Sequence, residues 1–337
     1  MSDGEAAERP TTIYDVARAA GVAPSTVSRA FSRPGRVNAE TAERIREVAA
    51  ELGYRANPQA RALSTRTTSM IGVLIADLAN PVFSAVVRGA EEAAADAGYA
   101  MVLADTRESA TRERELLDKI LQSVDGVVLA SPRMSDTAVR QVAKVKPTVV
   151  LNREVGGLPS VVVDTPRGMR RAAEHLRELG HDHVTYLAGP EAAWPDGVRW
   201  RALRDAREEL GLTVRRIGPL APTLNGGVKA AAAWAAHPTT AVIAYNDLIA
   251  IGFMRGVQAM GKRVPEDVSV IGFDNTPSAE IVTPGLTTVA APQRALGAQA
   301  VRHVLAFVGG ARSTTTEPLV LPTKLVERAS TALAPTD

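Results

Sequence analysis

Two hydrophobic periodicities and one lopsided charge distribution predict a small all-α module followed by a larger α/β core of two doubly wound parallel sheets. Up to residue 64, apolar side chains recur at helical spacing in short stretches. From residue 69 onward, short apolar runs alternate with amphipathic helical stretches. The 337 residues are too many for one small core and suit two or three domains.

Hydrophobic residues make up 45% of the chain and charged residues 23%, the balance of a soluble globular protein. No apolar run reaches the roughly 18 residues that a membrane span needs. The acidic, polar first ten residues carry no apolar signal-peptide core. The chain has no cysteine, which excludes disulfides, Cys-ligated zinc, iron–sulfur clusters and a cysteine nucleophile. The expected location is cytoplasmic, and no cofactor is expected.

Net charge is +2, but residues 9–66 carry ten arginines against five carboxylates while the rest of the chain is close to balanced. A small basic head on a neutral body fits either a phosphate-binding module or an ordinary solvated surface. Local pattern has to decide between them.

The first helix reads from Ile13. Thr12 followed three residues later by Asp15 resembles a capping box, and Ile13, Val16, Ala17 and Ala20 share one face. Gly21 ends it. A second helix opens at Pro24, a favoured residue in a first turn. Val27, Ala30 and Phe31 can pack inward, which turns Ser25, Thr26, Ser28 and Arg29 outward. Two short helices around a Gly turn, the second with a polar, Arg-bearing face, make a helix-turn-helix. A third helix is capped by Asn38 and striped by Ala42, Ile45, Val48, Ala49 and Leu52 up to Gly53. Asn57-Pro58 then opens about two more turns to Ser64, too short to be stable alone in water.

Here the sequence resembles a known family. TIYDVARAAGVAPSTVSRAF, VNAETAERIREVAAELGY and NPQARAL, in one ungapped match from Thr11 to Leu63, look like the headpiece and hinge of the lactose/galactose repressor (LacI/GalR) family. The resemblance implies a sequence-specific transcriptional repressor acting on double-stranded operator DNA. It places Pro24, Ser25 and Arg29 where base edges are read. Thr12, Thr26, Ser28, Arg36, Thr41, Tyr54 and Asn57 fall on or beside the backbone-holding positions, and Ile13 and Ala60 join them as DNA-binding residues. It makes Leu63 a wedge for the minor groove, although a leucine there also fits an ordinary core anchor. Ala23 stands where the family commonly carries a Ser cap, a change that costs about 1 kcal/mol of helix stability.

In the core, strands read at residues 71–76, 101–104, 127–130, 148–151, 161–163, 184–188, 241–245 and 268–273. Helices read at 83–97, 111–123, 166–179 and 248–260, among others. Strands separated by helices imply parallel sheets, and ligands in such folds bind beyond the strands' carboxyl ends. At those ends stand Asp77, Asn152-Arg153, Asn246-Asp247 and Asp274-Asn275, with Arg199 following Gly189. Each Asp or Asn fits a plain helix cap. Together they also make a set of carboxylate, amide and guanidinium groups suited to sugar hydroxyls.

IADLANPVFSAVVRGAEEAA, LRELGHDHVTYLAGP, AVIAYNDLIAIGFMRGVQAMGKRVPEDVSVIGFDN and PGLTTV extend the resemblance to the family's periplasmic-binding-protein-like effector core. It implies a small-molecule effector, a carbohydrate by class, met by Asn152, Arg199, Asn246 and Asp274. Asp77, Phe83 and Trp194 are further wall residues. Aromatics common in the family near Pro222 and Gln293 are absent, so the ligand itself does not carry over. The implied domains are a helix-turn-helix domain at 11–56, a hinge and linker at 57–68, one core subdomain at 69–163 with 293–320, and another at 165–290 with 323–337. A homodimer is implied, and the absence of a leucine heptad after Asp337 points away from a tetramer.

No catalytic site is expected: G-x-S-x-G, Walker A, H-E-x-x-H and G-x-G-x-x-G are all missing. His181-Asp182-His183 lacks further ligands for a metal site and reads as the turn before a strand. A transporter's solute-binding protein or a sugar-metabolising enzyme would share the core. The helix-turn-helix and the missing signal peptide argue against the first. Sugar turnover would favour the second.

Overall fold

The computed structural model of the chain describes residues 11–32, 35–54, 67–311 and 317–335. It divides into two compact units, residues 1–69 and 70–337. In the first unit α1 (Ile13–Ala19), α2 (Pro24–Ser32) and α3 (Ala39–Glu51) enclose Val16, Ala17, Ala20, Val27, Ala30, Ala42, Ile45 and Ala49. The Asp15 carboxylate accepts from both the Thr12 N–H (2.9 Å) and the Thr12 hydroxyl (2.6 Å), tying off the start of α1. Gly21 supplies the φ of +65° that turns the chain from α1 toward α2. Asn38 caps α3 by accepting from Glu40 N–H at 3.0 Å.

Leu52 corrects the sequence reading. It lies past the last turn of α3, is 40% exposed and offers its carbonyl to the Thr11 hydroxyl instead of extending the apolar stripe. The two-turn segment read at 57–64, with Asn57, Ala60 and Leu63, lies outside the described residues.

The second unit holds two six-stranded sheets. One contains β1 (Met70–Ile75), β2 (Ala100–Asp105), β3 (Gly126–Ala130), β4 (Thr148–Leu151), β5 (Ser160–Val163) and, from near the end of the chain, β11 (Leu319–Leu321). The other contains β6 (His183–Leu187), β7 (Thr213–Ile217), β8 (Ala241–Ala244), β9 (Ser269–Asp274), β10 (Thr287–Ala290) and β12 (Lys324–Val326). Their orders are 11-5-4-3-1-2 and 12-10-9-8-6-7. The first sheet is wholly parallel. The second is parallel except for β12, which runs antiparallel to β10 at the edge, a departure from the all-parallel expectation. Strands buried on both faces read as continuous apolar runs, which is why β3 and β4 show no alternation.

Helices α4 (Val82–Asp96), α5 (Ala110–Ile120) and α6 (Asp136–Val145) accompany the first sheet. Helices α7 (Thr165–Glu178), α8 (Trp194–Leu210), α9 (Leu224–Ala235), α10 (Asp247–Ala259) and the short α11 (Pro277–Ile281) accompany the second, and α12 (Gln293–Val308) returns to pack on α4. The chain therefore passes between the sheets three times: after β5, after β10 and between β11 and β12. At the first and third of these passages, Asp164 N–H donates to Leu321 O (2.8 Å) and the Thr323 hydroxyl to Asp164 O (2.8 Å).

Two helix pairs approach backbone to backbone. A Cβ on Gly297 of α12 would sit 1.9 Å from Val86 O, and one on Gly89 of α4 would sit 1.9 Å from Arg294 O. The α9–α10 pair repeats the device, with Gly252 placed 2.0 Å from Leu224 O by the same construction. Backbone atoms cannot swing aside, so Gly297→Ala should force α4 and α12 apart. We expect a loss of stability on the order of 1–3 kcal/mol or more, read as a lower urea midpoint at unchanged slope.

Candidate functional site

On the first unit, α2 presents its polar side outward. Ser25 and Arg29 are exposed one helical turn apart, and Thr26 and Ser28 are half-buried beside them. Pro24 opens the helix and is half-buried. Thr12 and Ile13 at the start of α1, Thr41 in α3 and Tyr54 beyond it are half-buried, while Arg36 is exposed. The Tyr54 ring leans on Phe31 at 6.0 Å between centroids, so the residue following α3 is anchored to the far end of α2. Val27 and Ala30, both buried, fix α2 on the other two helices and thereby fix which of its side chains face out. The result is a short, rigid helix offering hydroxyls and a guanidinium, the donors that phosphate oxygens and base edges accept from.

In the second unit, strand order reverses between β1 and β3 in one sheet and between β6 and β8 in the other. The carboxyl ends at such switch points leave a crevice. The second sheet contributes a buried charge cluster. Arg199 of α8 and Asp274 at the end of β9 have side chains 7% and 8% exposed, with N–O 3.6 Å apart. The Arg199 guanidinium stacks 3.6 Å from the Phe273 centroid and 4.6 Å from that of Tyr245, and it donates to the Tyr245 carbonyl. The Tyr245 ring fits because Gly189 has no Cβ; one would come within 2.6 Å of the ring. Two aromatic faces and one carboxylate thus replace the water a buried guanidinium loses.

Asp274 itself is held in an uncommon backbone state, φ +119°, followed by Asn275 at +55°. Such geometry costs about 1–3 kcal/mol in a non-glycine residue and persists only where the surroundings fix it. Burial pushes the Asp274 carboxyl up to about 8. Arg199 opposes that rise and the neighbouring Asp247 adds to it. Burial likewise lifts Asp247 to about 6, against the hydroxyl and N–H donors of Thr288 and Thr276.

Asn246 is 1% exposed and caps α10: its Oδ1 accepts from Ile249 N–H at 2.9 Å and its amide donates to Pro222 O at 3.4 Å. Trp194, the first residue of α8, is half-buried.

The first sheet's strand ends are less enclosed. Asp77, after β1, is half-buried and accepts from Ala79 N–H at 3.0 Å, the turn role a strand-end Asp commonly takes. Asn152, after β4, is half-buried with φ +57°. Phe83 is 5% exposed and packs in the first sheet's core with Ile75 and Val86, so it backs this region from beneath.

Sequence reasoning missed Arg133 and Glu108. Arg133 lies just past β3 and pairs with Glu108 at 2.5 Å; its side chain is 4% exposed and within electrostatic reach of Tyr245 on the other sheet. The strand-end rule that picked out Asp77 could have found Arg133 after Ser131-Pro132. Glu108 lies in a loop and shows no local signal. Among the described residues, Arg199 Nε, Gln293 Oε1 and Arg153 Nε are buried without a hydrogen-bond partner. Asp274 and Gln293 line the same cavity of about 260 Å³, together with Pro81 and Val82.

His181 is buried with Nδ1 2.9 Å from the Thr240 hydroxyl and Nε2 3.1 Å from the Ser269 hydroxyl, while His183 is exposed. Burial holds the His181 imidazole below its ordinary value. Among the described residues no group of three or more His, Asp or Glu could hold a metal ion, and no helix is long and apolar enough to cross a membrane.

Residues 12–57 match the family described as bacterial regulatory proteins, lacI family, and residues 173–331 match a periplasmic binding protein-like domain. The HTH-type transcriptional regulator DegA of Bacillus subtilis is 33% identical over 96% of this chain and 98% of its own. The crystal structure of the Lac repressor dimer bound to operator and the anti-inducer ONPF is 28% identical, covers 96% of this chain and all of that one, and superposes with a TM-score of 0.86. A LacI family transcriptional regulator from Enterococcus faecalis with bound ribose is 33% identical over 78% of this chain and 99% of that one, with a TM-score of 0.72.

The buried carboxyl makes a pH prediction. A folded-state value raised from 3.8 to about 8 means that Asp274 stabilises the fold most at low pH and that this stabilisation is lost as pH rises through about 8. In a melting-temperature series from about pH 4 to pH 8, Asp274→Asn should flatten the decline seen across that window in the unaltered protein, whatever its effect on the absolute value.

Proposed function

Because the chain belongs to the lacI family of bacterial regulatory proteins, we propose that it represses genes of carbohydrate use from a pseudo-palindromic operator and releases that operator when a carbohydrate binds between its two core subdomains. It is a DNA-binding transcriptional regulator. The observation that carries the effector reading is the Arg199–Asp274 pair, buried against Phe273 and Tyr245 at the strands' carboxyl ends. A carboxyl beside a guanidinium, in a site already stripped of water, can meet adjacent hydroxyls, one group on each. Asn246 and Trp194 belong to the same sheet's carboxyl ends, and Asp77 and Asn152, with Phe83 behind, to those of the first sheet. The ribose held by the Enterococcus faecalis relative supports that chemical class.

Arg29 and Ser25, with Pro24, read base edges from α2. Thr12, Thr26, Ser28, Arg36, Thr41 and Tyr54 hold the backbone or flank it, and Ile13 also belongs to the DNA-binding face. Asn57, Ala60 and Leu63 belong to a hinge that winds in the minor groove and couples head to core. The domains follow: head 11–56, hinge 57–68, one subdomain from 69–163 with 293–320, the other from 165–290 with 323–337. A regulator acting on DNA in this way works in the cytoplasm.

The active form is a homodimer, because one head makes too few base contacts and two-fold symmetry matches a palindrome. Leu224 and Val228 on α9, Met260 after α10 and Ile281 at the end of α11 are exposed apolar residues on helices that pack side by side. They supply the face for it, and the dimeric state of the Lac repressor structure supports the two-fold assembly.

The test is selection from random duplexes followed by anisotropy titration with and without a panel of neutral sugars. The expected result is an enriched two-fold sequence whose binding one of the sugars weakens. No enrichment, or indifference to every sugar, would overturn the reading. Arg29→Ala should cost roughly 1–3 kcal/mol on the selected site and relax preference at a guanine. Ile281→Asp should move the protein toward monomer in sedimentation and weaken operator binding with it.

A further inference from the structure

Asp247 is the first residue of α10, and sequence reasoning offered it a cap's role. That role is filled by Asn246, whose side chain accepts from Ile249 N–H. The Asp247 side chain is wholly buried and turned elsewhere. One carboxylate oxygen accepts from Thr276 N–H (2.7 Å) and the Thr276 hydroxyl (3.0 Å), and the other from the Thr288 hydroxyl (2.6 Å). The strand beside it gives way: a Cβ at Gly272 would stand 2.4 Å from Asp247 Oδ1. The Thr288 hydroxyl also accepts from Asn275 N–H at 3.3 Å, and Asn275 Oδ1 accepts from Arg328 at 2.8 Å. Both contacts fall on the turn that carries Asp274 at φ +119° and Asn275 at +55°.

We propose that Asp247 is a positioning residue of the effector site, one whose carboxylate clamps the turn at residues 274–276 and thereby aims Asp274 into the cleft. This rests on the reading that Asp274 meets the effector. The clamp is selective for an unprotonated acid. A carboxylate accepts from all three donors, whereas an amide keeps one acceptor oxygen for Thr276 and turns its NH₂ to the Thr288 hydroxyl, which then has to accept where it had donated. The charged groups around it are Asp274 from β9, Arg199 behind Asp274 on α8, and Arg328 from the segment after β12. Two buried carboxyls this close raise each other's affinity for a proton, so Asp247 also sets how readily Asp274 ionises.

The test needs no effector, so it can fail independently of the effector reading. Full-length protein and Asp247→Asn are compared by hydrogen–deuterium exchange and by infrared titration of the carboxylic C=O band that Asp274→Asn abolishes. We expect exchange at residues 275–276 to quicken about tenfold or more while the rest of the second sheet is unchanged, and the Asp274 midpoint to move to lower pH. A purely structural Asp247 would leave that midpoint in place. Should Asp247→Asn fail to fold, Thr288→Val removes one of the three donors and the acceptor of Asn275 N–H, and the same local quickening is expected. Unchanged exchange at 275–276 together with an unmoved Asp274 midpoint in folded Asp247→Asn would overturn the proposal. So would unchanged exchange in Thr288→Val where only that variant folds.

Discussion

Burying a guanidinium beside a carboxyl at the mouth of a parallel sheet constrains everything around the cleft. Arg199 loses its water and recovers interaction from Phe273, Tyr245 and Asp274. Each of those partners is fixed in turn. Tyr245 needs the missing Cβ of Gly189, and Asp274 needs a left-handed turn pinned by Asp247, Thr276 and Thr288. At 3.6 Å the pair is not a closed ion pair, and Arg199 Nε has no partner among the described residues. Its polar capacity is therefore held in place but not used up, which is the condition for recognising hydroxyls with little reorganisation.

The core keeps that geometry within two separately braced halves. Each sheet is braced by a helix pair in backbone contact, α4 with α12 and α9 with α10, where glycine is required for the approach. The halves are joined by three passages of chain rather than by a shared sheet. Stiff bodies on a narrow connection favour rotation over internal deformation, and Asp274, Gln293, Pro81 and Val82 lie together around the cavity next to one of those passages. A ligand that prefers one relation of the two bodies can then shift the equilibrium between them by its differential affinity.

Much of this was legible in the sequence. Eight strands of the core were read within a residue or so of their observed ends, because strands buried on both faces appear as unbroken apolar runs. Four strands escaped: β7 carries Arg215 and Arg216, β10 opens on two threonines in a run of four, and β11 and β12 are three residues each, too short for a pattern. Asp274, Arg199 and Asn246 were singled out by the strand-end rule and by family resemblance together, and the structure brings Asp274 and Arg199 within 3.6 Å of each other. Arg133 followed the same rule and was overlooked, while Glu108 depends on a pairing 25 residues apart in sequence that no local pattern carries. Asp247 was read as a helix cap or as one of a set facing sugar hydroxyls, because its actual partners, Thr276 and Thr288, lie 29 and 41 residues away in sequence. Leu52 was misplaced because periodicity does not mark where a helix stops.

The head and the core matter to each other only if occupancy of the cleft and of the operator are linked, and linkage is reciprocal. The direct measurement is calorimetric titration of the most effective sugar into free protein and into protein saturated with its selected operator. The account predicts a weaker sugar affinity on DNA, by the same factor by which that sugar weakens operator binding. Equal affinities in the two titrations would contradict it.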